Sequence, residues 1–146
     1  VERPPHAYVP GRSPRHPEGL FDAVRDTAEG VPVDRLAETE AWRTGLRWID
    51  EGYFWEAHEV LEPVWMAAPP NAPERSMVRA AIQCANARLK RRMGRDRAAA
   101  RLEGVVAGLL DEVALSGRSR VMGLGLDEAR ARFGGADSVR DMQDNA

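Results

Sequence analysis

The chain is poor in the residues that staple, anchor or unfold a protein. Cys84 is the only cysteine in 146 residues, so no internal disulfide can form. It lies among alanines, where a small thiol packs as a core residue, and no motif around it marks a nucleophile. A reducing, cytoplasmic setting is the expectation that follows. No apolar run approaches the roughly 20 residues that span a bilayer, and residues 1–19 hold no apolar signal core. No stretch shows the alternation of a strand, and there is no fixed repeat. Lysine is almost missing: Lys90 is the only one, and every other basic residue is arginine.

What is present is ordinary for one folded domain. The chain is 43% hydrophobic and 30% charged, with a net charge of −2. A near-neutral balance argues against a dedicated nucleic-acid binder, so no nucleic-acid and no membrane partner is expected. The basic run from Arg88 to Arg97 reads as a helix C-terminus, where cations suit the macrodipole, with a phosphate-binding patch as the alternative.

Prolines and glycines punctuate the chain into helices. Residues 1–19, with Pro4, Pro5, Pro10, Pro14 and Pro17, read as an extended arm that either lies on the body or is disordered. Helical patterns follow over Leu20 to Ala28, Val33 to Glu51, Tyr53 to Met66, Glu74 to Met93 and Asp96 to Leu115, then a short one over Leu126 to Phe133. The expected fold is all-α: a compact bundle of four main helices, short extra helices, and the N-terminal arm. One domain over residues 20–133 and a frayed tail over 134–146 complete the expectation, with a homodimer plausible for a bundle this size.

One segment carries chemistry, from Gly52 to Trp65. On a helix, Phe54, Ala57, Leu61 and Val64 form a core stripe. Trp55, His58, Glu59, Glu62 and Trp65 fall on the opposite side. His58 and Glu62, four apart, stack one turn over the other, bracketed by two indoles as if lining a half-buried pocket. Pro63 has no N–H, so the Glu59 carbonyl loses its helical partner and is open to water, a side chain or a cation. The pattern is not HExxH, because Glu62 stands where the second histidine would be, so the zinc-protease reading fails.

Three readings of His58 and Glu62 remain. They are a hydrogen-bonded pair fixing helix packing, a divalent-metal site, or a metal-free acid–base or small-ligand site. A metal needs a ligand from elsewhere, and His6 and His16 are the only other histidines. In the catalytic reading His58 is general base or metal ligand, and Glu62 is the orienting carboxylate or co-ligand. Gln83 and Asn86 share a helical stripe with Arg79 and Lys90. Gln83 is expected within hydrogen-bonding or one-water distance of His58 or Glu62 as an orienting amide. Trp42 and Trp48 read as packing residues.

The pattern His58-x-x-x-Glu62-x-x-Trp65, preceded by Gly52-Tyr53-Phe54-Trp55-Glu56-Ala57, closely resembles a bacterial and archaeal family known as domain of unknown function 309. The family's hallmark is HxxxExxW or HxxxExxY, discussed as a metal-binding motif. The likeness continues at Arg79-Ala80-Ala81-Ile82-Gln83 and from Gly94 to Leu102, where the family's second glycine is absent. It spans about Trp42 to Leu110 and implies a compact helical bundle with no established activity. The competing class is a non-catalytic module that offers a groove to a protein partner.

Overall fold

The computed structural model describes residues 1–135. Its helices are α1 (Asp22–Arg25), α2 (Glu40–Glu51), α3 (Phe54–Ala67), α4 (Pro73–Arg92), α5 (Asp96–Leu115) and α6 (Leu126–Phe133). The fold is all-α. The four long helices α2 to α5 form the bundle, and each packs on the next in sequence.

Local chemistry sets the helix limits. Thr39 caps α2, its Oγ1 accepting the Trp42 amide at 3.2 Å. Gly52 closes the same helix with φ of 89°, a left-handed conformation that costs a glycine little. Pro73 opens α4, where its missing N–H is no loss. The core between α3, α4 and α5 is tight because Ala80, Ala81 and Ala85 are fully buried and let backbones approach. Gly45 on α2 does the same for α3, since a Cβ there would collide with Leu61.

Three expectations need correction. The helix expected over Val33 to Glu51 is two elements, a 3-10 segment Val33–Glu38 and then α2, because Thr39 turns the chain before capping it. The helix expected over Leu20 to Ala28 is only α1 followed by a 3-10 turn, Asp26–Ala28. A small hairpin, β1 (Arg120–Val121) and β2 (Leu124–Gly125), stands where no strand was expected. Its turn residues Met122 and Gly123 both have positive φ, the conformation tight hairpins demand. The carbonyl of Met122 accepts the buried indole N–H of Trp42 at 3.1 Å, tying the hairpin to α2.

The N-terminal arm lies on the body. Val9 and Pro4 are buried, and Arg12 donates to the Arg92 carbonyl at the end of α4. The expected frayed tail, from residue 136 on, lies outside the described residues.

Candidate functional site

The α3 helix carries two His–Glu pairs of opposite character. The first is the expected one: His58 Nε2 lies 3.5 Å from Glu62 Oε2, one turn along the helix, with side chains 31% and 41% exposed. The second joins the arm to the helix. His16 Nε2 stands 2.6 Å from Glu56 Oε2, with side chains 2% and 0% exposed. The same Glu56 oxygen accepts the Tyr8 backbone N–H at 2.6 Å. A carboxylate needs a donor, so Nε2 of His16 carries the proton that faces it. Glu56 Oε1 and His16 Nδ1 are buried without a hydrogen-bond partner among the described residues.

The carbonyl that Pro63 frees is used. Arg25 donates a guanidinium N–H to the Glu59 oxygen, and the same group lies 3.6 Å from the Glu59 carboxylate. Of the three partners open to that carbonyl, a cationic side chain takes it. Glu59 is therefore tied to α1.

The two tryptophans have different neighbours. Trp55 packs under the arm, 5.1 Å from Tyr8 edge to face and 6.0 Å from the His16 ring. Trp65 is covered by the Arg75 guanidinium, 4.1 Å from the ring centroid. Grooves open beside each indole. One of about 830 Å³ includes Tyr8, His16, Phe21, Trp55 and Glu59 in its lining; one of about 520 Å³ includes Trp65, Arg79 and Leu115. The His58–Glu62 pair sits between these two indoles along α3.

The amide stripe lies on α4, which packs against α3. Arg75 lies over Trp65 near the connection, and Arg92 lies over Phe54 and donates to the Gly52 carbonyl at the far end. Asn86 donates to Gln83 at 3.1 Å, and among the described residues no hydrogen bond joins Gln83 to His58 or Glu62.

Sequence reasoning missed Glu56, although a signal was present. Glu56 lies beside Ala57 and one turn before Val60, inside the arc that α3 buries. A carboxylate there demands a partner, and His16 supplies one from 40 residues away.

Residues 42–102 match the family model described as Domain of unknown function (DUF309). This stretch is similar to that family over 61 of the 146 residues. It contains both α3 pairs' helical members and the Gln83 stripe, while His16, Tyr8 and Arg25 come from outside it. Neither a curated protein nor a solved structure matches the chain.

Proposed function

We propose that this chain is a ligand-binding helical domain whose working pair is His58 and Glu62. The observation that carries the reading is the contrast between the two pairs on α3. The buried His16–Glu56 pair holds structure together, whereas His58 and Glu62 stay half open and available. Their donor count decides between ligands. A structural zinc takes four protein donors and a catalytic one takes three with water. His58 and Glu62 offer two, and among the described residues no group of three His, Cys, Asp or Glu converges. A small polar ligand held by hydrogen bonds fits better than a tightly bound divalent ion. In that arrangement His58 is the hydrogen-bonding and proton-transfer group, Glu62 orients it, and Gln83 with Asn86 on the neighbouring α4 adds amide donors. Hydrolysis, with His58 as general base toward water, is the reaction class such a pair serves.

An NMR fragment screen on isotope-labelled protein tests this. Binders should shift the His58 ring nitrogens together with the side-chain amides of Gln83 and Asn86. His58→Ala should abolish those shifts while keeping the helical fold. Stoichiometric zinc, released by chelator and by acid because ligation needs neutral imidazole, would move the site to the metal class. A screen whose hits all lie away from His58 would sink the reading. The second reading, a protein-interaction module, is favoured by one feature: Leu115, 87% exposed, edges the groove beside Trp65.

A further inference from the structure

The net charge of −2 conceals a strong separation of charge. Residues 88–103 hold seven basic groups (Arg88, Lys90, Arg91, Arg92, Arg95, Arg97, Arg101) against two acids (Asp96, Glu103). The last turn of α4, the connection and the first turns of α5 therefore concentrate positive charge at one end of the bundle. The fold adds Arg12, which the arm brings to the Arg92 carbonyl at 2.7 Å.

The acids at this end are already engaged. Arg91 takes Glu103 through two nitrogens, at 2.8 and 2.6 Å, and its third lies 3.6 Å from Asp96. Arg95, Arg97 and Arg101 are exposed and Lys90 is half-buried, and none of the four side chains has a hydrogen-bond or ion-pair partner among the described residues. A helix C-terminus explains cations in the last turn of α4. It does not explain Arg97 and Arg101, which stand in the first turns of α5, where the dipole favours acids.

We infer that this end of the bundle binds the phosphate backbone of a double-helical nucleic acid. Guanidinium groups suit it, since their planar fork meets phosphate oxygens in pairs where an ammonium offers a point charge. Arg97 and Arg101 lie one helical turn apart, about 6 Å along the axis, a spacing that lets them meet neighbouring phosphates. The exposed large hydrophobic residues Val1, Leu20, Met66 and Leu115 all lie outside this segment. Residues 88–103 hold no aromatic side chain on which unstacked bases could stack and, among the described residues, no fully exposed large apolar one to enter a bilayer. The surface tracks a backbone without reading sequence.

Fluorescence anisotropy with a labelled duplex DNA of mixed sequence, beside the matching duplex RNA, tests this on the full chain. Binding at low salt should weaken steeply, log K falling against log salt with a slope of about −3 to −4 for about four phosphate contacts. Arg95→Glu, Arg97→Glu and Arg101→Glu together should weaken binding at least tenfold and flatten that slope. Arg35→Glu, Arg43→Glu and Arg47→Glu together make the same change in net charge elsewhere and should leave affinity within twofold. The wild-type salt slope stands as a readout even if the first variant folds poorly. The proposal is overturned by no binding at low salt, by equal loss in both triple variants, or by anionic phosphatidylserine vesicles capturing the chain more tightly than either duplex.

Discussion

His16 Nε2 and Glu56 Oε2 are 2.6 Å apart, though 40 residues separate them in the chain, and both side chains are buried. A buried charge of this kind is expensive once its partner is removed. His16→Ala should therefore destabilise the protein by about 3–5 kcal/mol, the range for breaking a buried pair. His58→Ala, at the half-open pair on the same helix, should cost no more than about 1 kcal/mol. Urea denaturation of the two variants side by side checks the contrast, and equal losses would refute it.

Arg25 is the partner of the carbonyl that Pro63 leaves without an N–H. Arg25→Ala should uncover that oxygen and the Glu59 carboxylate together, costing about 1–2 kcal/mol because the acceptor stays only half-buried. Hydrogen exchange should show α1 and the following 3-10 turn loosening first. Unchanged exchange there would mean that the contact carries no load.

Gly45 faces Leu61 so closely that a methyl group cannot fit between α2 and α3. Gly45→Ala should cost about 1–3 kcal/mol as an overpacking change, in spite of alanine's better helix propensity. Thermal melting measures it.

Gly104 and Gly108 on α5 present the opposite case. Both lie inside a helix, and a Cβ built on either meets nothing within 4 Å. Alanine at each position should stabilise the protein, by up to about 1 kcal/mol apiece, through helix propensity and a less free unfolded chain. A loss of stability would show that another chain packs against this face in solution, which sedimentation would then detect.

Long, regular helices were legible in the sequence because their signals are local. The stripe Leu102, Val105, Val106, Leu109, Leu110 and Val113, closed by Ser116 and Gly117, marks α5, and the bounds Asp96–Leu115 agree with it, although Val105 is only half-buried. The two-residue strands were not legible, since so short a hairpin has no alternation and rests on Trp42 reaching Met122. At the site, the i, i+4 spacing showed His58 and Glu62 as neighbours. The same spacing said nothing of what each tryptophan would meet, because Tyr8 and Arg75 arrive from other segments. Glu56 was readable as an anomaly in a buried arc, whereas its partner in a proline-rich arm was not.

The arm changes what counts as the smallest workable piece of this protein. A fragment cut to residues 42–102 would keep α3 and α4 but lose His16 and the Tyr8 amide, leaving the Glu56 carboxylate unanswered. It would also lose the Met122 carbonyl that receives Trp42 and the Arg25 that covers Glu59. What sequence comparison recognises as a unit is thus narrower than what can hold its own shape. Expression of that fragment should give an aggregating or poorly cooperative product, and ligand studies belong on the full chain.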